Sequence, residues 1–307
     1  MNRISDIKYR YENFGGIISS EDPPFLAFVD RNYMLDMGLK SSELWQKKDS
    51  IGILSAPTEV HFAITNKCSV KCSHCYMGSD VSEENEYDTK TFKRALDVLS
   101  EMNVFHIAMG GGEALEREDL FEVAEYAREK GLVPNLTTSG SIMNDELAQK
   151  LKIFGQVNLS IDGLYDNYNI FRKSQVKFDT IDKSIDILMR NNIPTGINCV
   201  VGKRNYGMIP EIFEYASKKG LNEIEFLRFK PLGRGIDRYN SERTTYEQNI
   251  KLIPLLTKMS EKYKIIAKID CSFVPMLCYH KPPKELLYSM ATYGCEAGNV
   301  LLGIKSN

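Results

Sequence analysis

The sequence lacks three features that would each define a class of protein. It has no apolar run long enough to span a bilayer, and its first residues lead into charged residues without a signal-peptide core. It has no basic excess, since 39 Lys and Arg stand against 41 Asp and Glu, whereas a dedicated nucleic-acid binder would be basic. We therefore expect a cytoplasmic protein that binds neither membranes nor nucleic acid.

The remaining composition is that of an ordinary globular protein. Hydrophobic residues make up 43% of the 307 residues and charged residues 26%, which is enough for one large α/β domain with smaller appendages. The chain has seven cysteines. In the cytoplasm such a number indicates metal or redox chemistry more than disulfide bonds.

Strands and helices are predicted to alternate from residue 59 onward. The predicted strands are 59–65, 104–109, 132–138, 156–161, 195–201 and 223–229, and the predicted helices lie near 88–99, 116–130, 144–154, 180–191, 208–219 and 245–262. Six such alternations imply parallel strands with crossover helices. The pattern alone suits both a barrel and an open, doubly wound sheet.

Residues 1–58 precede this pattern and are predicted to form a short preface. Apolar segments at 15–19 and 25–29 flank a turn at Glu21-Asp22-Pro23-Pro24, which predicts two short strands. A short capped helix is predicted at 41–45. We interpret the preface as packing or lining for the domain that follows.

Three thiols lie close together directly after the first predicted strand. Cys68, Cys72 and Cys75 are separated by three and two residues, and Tyr76 follows the last of them. Three thiolates in one loop can hold a [4Fe–4S] cube and leave its fourth iron without a protein ligand. The alternative is a zinc site closed by His74, but His74 adjoins Cys75, which already occupies that side of the loop.

This spacing, with its aromatic residue, resembles that of the radical S-adenosylmethionine (SAM) enzymes. The resemblance implies that the open iron binds the amino and carboxylate groups of SAM, and that a 5′-deoxyadenosyl radical then removes a hydrogen atom from substrate. It also implies an α/β fold, a partial (β/α)6 barrel of the TIM type, rather than an open sheet. Tyr76 is expected among the residues that bind SAM.

The second predicted strand ends in Gly110-Gly111-Gly112-Glu113-Ala114. Glycines let the backbone approach a ligand closely, and a carboxylate beside them can hold an ammonium group. The segment is similar to the Gly-Gly-Glu-Pro motif of the same superfamily, with Ala114 in place of proline. The resemblance implies that Gly111, Gly112 and Glu113 contact the SAM amino group. The alternative is a simple glycine turn.

Further polar residues follow the third and fourth strands. Ser139 stands where relatives often have asparagine, and the fourth strand ends in Ser160-Ile161-Asp162-Gly163, with Arg172 downstream. The resemblance implies that Ser160 and Asp162 lie near the SAM ribose and that Arg172 pairs with the SAM carboxylate, as the donors and acceptors of these side chains allow. An aspartate-glycine turn and a surface arginine are the alternatives.

Two other segments are less specific. Cys199 lies within an apolar strand and is predicted to be a small buried hydrophobe. The stretch from Arg228 to Arg234 resembles an Arg-x-x-Pro-x-Gly-Arg segment on the substrate side of the same subgroup. A solvated charged loop is its alternative.

The tail is similar to the opening of the SPASM or twitch extension, which holds auxiliary iron–sulfur clusters. Cys295 is followed by Glu296-Ala297-Gly298 and would ligate such a cluster. One cysteine is too few, so either Cys271 and Cys278 contribute or the chain is a fragment whose further clusters lie beyond it. We favour the fragment, with a preface at 1–58, a core at 59–270 and the start of the extension at 271–307.

The expected function is therefore that of a radical SAM enzyme of the SPASM/twitch group. The resemblance implies a peptide or protein substrate, as in the maturation of ribosomally made peptides, and an electron donor such as flavodoxin or ferredoxin. One alternative is a small-molecule reaction such as a tetrapyrrole side-chain conversion. Another is a non-catalytic iron–sulfur or zinc scaffold, which would not require the Gly-Gly-Glu and Ser-Ile-Asp-Gly segments.

Overall fold

The computed structural model describes residues 7–21, 24–46, 53–81, 85–289 and 297–307. Its strands are β1 (Lys8–Glu12), β2 (Gly15–Glu21), β3 (Pro24–Asp30), β4 (Glu59–Thr65), β5 (His106–Gly111), β6 (Val133–Thr138), β7 (Val157–Ser160), β8 (Thr195–Val201), β9 (Glu223–Arg228), β10 (Ile266–Ile269) and β11 (Leu301–Ile304). Its helices are α1 (Arg31–Asp36), α2 (Thr89–Glu101), α3 (Leu120–Glu129), α4 (Asp145–Leu151), α5 (Asn169–Arg172), α6 (Phe178–Arg190), α7 (Ile209–Lys218), α8 (Tyr239–Glu242), α9 (Tyr246–Tyr263), α10 (Val274–His280) and α11 (Lys284–Ser289).

The preface forms an antiparallel sheet in the order β1-β2-β3. The two predicted strands are confirmed as β2 and β3, and the predicted short helix is a single 3-10 turn at Glu43–Gln46. β1 was not predicted, because its sequence is largely polar. It is anchored by Arg10, which is 5% exposed and donates to the carbonyls of Ala56 at 2.7 Å and Pro57 at 2.8 Å.

The main sheet is parallel and has the strand order β10-β9-β8-β7-β6-β5-β4-β11. From β4 to β10 each strand lies beside the next one in the chain, so the order never reverses as it does in a doubly wound sheet. The sheet is curled into a partial barrel, and the predicted barrel architecture is therefore confirmed. All six predicted strands are present, although β5 begins two residues later than expected.

The hydrophobic core lies between the outer face of this sheet and the helices. On β4 the residues Val60, Phe62 and Ile64 are at most 1% exposed, and they alternate with residues that face the inside of the barrel. Helix α2 covers them with Phe92 and Leu96, which lie on one face at helical spacing. Each such buried side chain stabilises the fold by about 1.5–3 kcal/mol.

Two further strands complete the main sheet. β10 extends the sheet beyond β9, and β11, near the C-terminal end, pairs with β4 in parallel register. The backbone N–H of Thr58 donates to the carbonyl of Val300 at 2.8 Å, next to this pairing. Cys295 lies outside the described residues. Among the helices that the structure describes, none is both long and apolar enough to cross a membrane.

Candidate active site

The cysteine loop leaves the carboxyl end of β4, where ligands gather in parallel α/β folds. Its root is closed by the N–H of Cys68, which donates to Asp80 O at 2.9 Å. Cys68, Cys72 and Cys75 are free thiols of intermediate exposure. Burial raises the pKa of the Cys68 and Cys72 thiols in the absence of a ligand.

The Gly-Gly-Glu segment at the end of β5 rests on the root of this loop. Gly112 N donates to Thr65 O at 2.7 Å, and Glu113 N donates to Lys67 O at 2.8 Å. A Cβ on Gly112 would lie 2.1 Å from Lys67 O, and Gly111 has a φ of +109°. The glycines are therefore required for contact between two backbone segments, a role that the sequence did not reveal.

The Glu113 carboxylate is 2% exposed and is held by the two residues at the end of β6. Thr138 Oγ1 donates to Oε1 at 2.6 Å. Ser139 donates to Oε2 through its backbone N–H at 2.8 Å and its hydroxyl at 2.5 Å. The sequence had marked Ser139 only as a departure from the asparagine of relatives, whereas the structure makes it a direct partner of Glu113.

Asp162 and Arg172 form a buried ion pair, with 2.9 Å between Oδ2 and Nη1. The same Nη1 donates to Ser160 O at 3.0 Å, so the three residues predicted near SAM are brought together. Burial lowers the pKa of Arg172, but Tyr168, Cys72 and Asp162 outweigh it and hold the pKa above its ordinary value.

This pair also touches the cysteine loop. Ser73 N donates to Arg172 O at 2.8 Å, and His74 Nε2 lies 3.3 Å from Asp162 Oδ2. His74, the fourth ligand in the zinc alternative, thus faces the carboxylate of Asp162, which follows β7. Within the described ranges, no three His, Cys, Asp or Glu side chains are grouped to hold one metal ion. A cubane cluster makes a different demand, because each thiolate binds its own iron.

Tyr76 and the cysteines outside the loop differ in how far they are exposed to solvent. Tyr76 is 52% exposed, and Lys230 Nζ lies 5.3 Å from the centre of its ring. Cys199 is completely buried in the core, as predicted. Cys271 is half-buried at the end of β10 and Cys278 is exposed on α10.

The inner face of the barrel carries charged residues that the sequence analysis missed. His61 Nε2 lies 2.7 Å from Glu59 Oε1, and Lys268 Nζ lies 2.6 Å from Glu223 Oε2. Glu225 has a pKa raised to about 7, because it is buried and because Glu59 and Glu223 are carboxylates nearby. The signal was the alternation of polar Glu59 and His61 with buried apolar residues on β4.

The charges of β4 and β9 interact although four strands separate them in the sheet. Glu225 on β9 contributes to a raised pKa of His61 on β4, where the hydrogen bond to Glu59 is the largest cause. The curl of the sheet therefore brings its two ends to face each other. Burial is the largest cause of a raised pKa of Tyr76, directly after the cysteine loop, and Glu225 is among the smaller causes.

The residues present fit a [4Fe–4S] cluster with bound SAM. Three thiols lie in one loop at the carboxyl ends of the strands, next to the buried carboxylate of Glu113. Arg172 Nε and Arg234 Nη2 are buried N–H donors beside the loop, and neither has a hydrogen-bond partner within the part of the chain that is described. Such donors suit the thiolate and carboxylate groups that a bound cluster and SAM would bring.

The fold and the site together define a class: a parallel half-barrel with a thiol loop for an iron–sulfur cluster. Residues 62–216, half of the chain, match the radical SAM superfamily. The chain belongs to this superfamily, whose members are enzymes that use a [4Fe–4S] cluster and SAM.

Relatives of known function fall into two groups. The chain is 32% identical over 202 residues to the Fe-coproporphyrin III synthase of Methanosarcina barkeri. The matched segment covers 65% of this chain and 50% of that protein. The chain is also 27% identical over 212 residues to the mycofactocin maturase MftC of Mycobacterium tuberculosis, covering 68% of this chain and 54% of that protein. The chain thus spans about half the length of these two relatives.

Among solved structures, the fold is similar to that of SuiB from Streptococcus suis bound to S-adenosylmethionine. The TM-score is 0.75 at 18% identity, and the match covers 100% of this chain and 81% of SuiB. At this identity the likeness supports the fold alone.

Proposed function

We propose that this chain is the core of a radical SAM enzyme of the SPASM/twitch group that modifies a peptide or protein. MftC is a maturase, which supports a peptide substrate, and SuiB, which shares the fold, has been solved with its precursor peptide SuiA. The Fe-coproporphyrin III synthase supports the competing tetrapyrrole substrate. The observation that favours a peptide is the charge of the inner face.

Three carboxylates, Glu59, Glu223 and Glu225, lie on the inner face of the barrel. His61 pairs with the first and Lys268 with the second. Within the described residues Glu225 makes no hydrogen bond, and its pKa is raised by burial and by its acidic neighbours. A coproporphyrin carries several carboxylate side chains, and Glu225, the one carboxylate of the three that is unpaired within the described part of the chain, would repel them at a pH above its pKa of about 7. A peptide with an amine or guanidinium would gain an ion pair there.

The proposed residue roles combine the resemblance to the family with the geometry of the site. Cys68, Cys72 and Cys75 would hold the cluster, and Glu113, fixed by Thr138 and Ser139, would accept hydrogen bonds from the SAM amino group. When bound, the cluster and SAM supply a 5′-deoxyadenosyl radical that removes a hydrogen atom from substrate.

The remaining predicted SAM contacts surround the same place. Arg172 would pair with the SAM carboxylate while it keeps Asp162. Ser160 would lie near the ribose, and Tyr76 would complete the rim. Gly111 and Gly112 would hold the Glu113 segment against the root of the cysteine loop.

The preface offers a second surface for a peptide. β3 is an edge strand of the small sheet, and Phe25 and Phe28 on it are 38% and 43% exposed. An extended peptide can add to such an edge through backbone hydrogen bonds. The proposal has four further parts. They are an auxiliary cluster ligated by Cys295 in a longer chain, domain boundaries at residues 58 and 270, a flavodoxin or ferredoxin as electron donor, and a cytoplasmic location.

The cluster is tested by anaerobic reconstitution. We expect about four irons per chain, since three thiolates hold one cubane cluster, and release of 5′-deoxyadenosine and methionine after reduction with SAM. Cys72→Ala should abolish both, whereas Ser217→Ala, at an exposed position on α7, should change neither. Uptake of zinc without iron would contradict the assignment.

The substrate class is tested by the stimulation of 5′-deoxyadenosine release. Synthetic peptides with a central lysine or arginine are compared with matched norleucine peptides and with iron coproporphyrin III. We expect stimulation by the cationic peptides and a loss of their advantage in Glu225→Gln. Stimulation by the porphyrin alone would favour the tetrapyrrole reaction instead.

A further inference from the structure

The turn that follows β9 wraps around the cysteine loop. Gly233 has a φ of +53°, and a Cβ there would lie 2.5 Å from Cys75 O and 2.6 Å from Tyr76 O. The next residue, Arg234, donates its backbone N–H to Cys75 O at 3.0 Å. Only a glycine lets the two backbones come this close.

The side chain of Arg234 holds the same loop at three further points. Nε donates to Cys72 O at 2.8 Å, and Nη1 donates to the carbonyls of Gly78 and Ser79, each at 2.9 Å. One guanidinium thus links the carbonyl of Cys72 to the backbone of Gly78 and Ser79, which follow the cysteine motif. Nη2 is buried and has no hydrogen-bond partner within the residues that the structure describes.

A second arginine supports the loop from the same side. Arg238 Nη1 donates to Ser73 Oγ at 2.6 Å, and Arg238 Nη2 donates to Glu242 Oε1 at 2.9 Å. Glu242 is 4% exposed and also binds Arg204. The short helix α8 is therefore fixed, and with it the direction of the turn that carries Arg234.

The loop has a physical need for these bonds. Between β4 and α2 the described part of this loop contains no helix or strand, only an isolated bridge between Lys67 and Asp80, so most of its carbonyls need partners from elsewhere in the fold. Hydrogen bonds from a guanidinium are about twice as strong as those between neutral groups. Arg234 satisfies several of these carbonyls at once, among them that of Cys72, 162 residues away in the chain.

We propose that Arg234 is a positioning residue that holds the cysteine loop in its cluster-binding shape and favours reduction of the cluster. The proposal rests on the cluster site of the proposed function. A fixed cation bound to the backbone of a ligating cysteine favours the reduced state, because reduction adds negative charge and the potential of a cluster follows its local charge and hydrogen bonds.

The test uses the full chain, reconstituted anaerobically and studied without SAM or peptide. Arg234→Gln removes the charge and most of the hydrogen bonds. Arg234→Lys keeps the charge but cannot donate to all three side-chain acceptors at once, because it lacks the planar guanidinium. Arg243→Gln is the matched control, because Arg243 is exposed and lies in the same region. Iron loss to a chelator and the reduced fraction at fixed redox poise, followed by electron paramagnetic resonance, are measured for each.

We expect Arg234→Gln to lose iron about 10- to 100-fold faster than the wild type, as is usual when a partner of a metal ligand is removed. It should also be less reduced at the same poise. Arg234→Lys should lose iron faster yet stay close to the wild type in reduced fraction, since its charge remains. Arg243→Gln should match the wild type in both measurements.

Two results would overturn the proposal, and they differ from each other. Equal iron loss and equal reduced fractions in the wild type and both Arg234 variants would refute the role of Arg234 while leaving the cluster site intact. A wild type that takes up no iron would refute the cluster site itself. A failure of peptide turnover touches neither measurement. If Arg234→Gln fails to fold by circular dichroism, Arg234→Lys against the control decides.

Discussion

Ser139 binds the Glu113 carboxylate twice, through its backbone N–H at 2.8 Å and its hydroxyl at 2.5 Å, both to Oε2. The end of β6 thereby orients a carboxylate that belongs to the loop after β5. Because the two strands are neighbours in the sheet, the carboxylate is fixed before any ligand arrives. Such preorganisation suits the proposed role of Glu113 in binding the amino group of SAM.

Ser139→Ala should weaken SAM binding without unfolding the protein. The variant loses one of the hydrogen bonds to Glu113, worth about 1 kcal/mol, while the backbone N–H and Thr138 remain. We therefore expect a Kd for SAM that is about fivefold higher, as measured by calorimetry on cluster-loaded protein. Ser217→Ala, at an exposed position on α7, should bind like the wild type. Equal affinities in both variants would show that Glu113 does not depend on Ser139.

Gly112→Ala should disturb the root of the cysteine loop. The new Cβ would lie 2.1 Å from Lys67 O, which is backbone and has little freedom to move. We expect a loss of about 2 kcal/mol or more in the free energy of unfolding, together with reduced iron uptake. Gly207→Ala is the control, since a Cβ there meets nothing within 4 Å. A wild-type melting temperature in Gly112→Ala would contradict the close approach of the two segments.

Arg172→Ala should destabilise the protein even without SAM. It leaves the buried carboxylate of Asp162 without its cation, and removal of one partner of a buried pair costs about 3–5 kcal/mol. Urea unfolding of the apo protein measures this loss. Arg190→Ala, whose pair with Asp145 is exposed, should change stability by at most about 1 kcal/mol. If apo stability is unchanged in Arg172→Ala, the arginine serves the ligand alone.

Glu225 should make the stability of the protein fall as pH rises. Its pKa is raised from 4.5 to about 7 by burial and by Glu59, so the folded state favours the protonated form. The stability from this proton is present below about pH 4.5 and is lost as pH rises through about 7.

Glu225→Gln removes this dependence. Between pH 5 and pH 8 the wild type should lose on the order of 2 kcal/mol of unfolding free energy that the variant does not lose. Urea unfolding at both pH values measures this difference. Glu118→Gln, which removes an exposed carboxylate, should run parallel to the wild type. Parallel curves for Glu225→Gln as well would mean that this carboxylate is well solvated.

The sequence by itself determined the succession of strands and helices, and it predicted the chemistry of the cysteine loop. Both depend on residues that are close in the chain: Cys68, Cys72 and Cys75 lie within one loop, and the period of apolar residues is a local property. Even the strand ends that carry Glu113 and Asp162 could be located, because polar residues stop an apolar strand visibly. Such local patterns do not show which strand ends lie next to each other in the folded sheet.

The tertiary structure alone decided the strand order, and with it every long-range partner. The consecutive order of β4 to β10 separates a barrel from an open sheet, and the curl places Glu225 opposite His61. The bond from Arg234 to Cys72 spans 162 residues, so no spacing in the sequence could indicate it. The physical reason is that these contacts arise from the curvature of the sheet, a collective property of all its strands, whereas the three cysteines proposed to hold the cluster lie within one short loop.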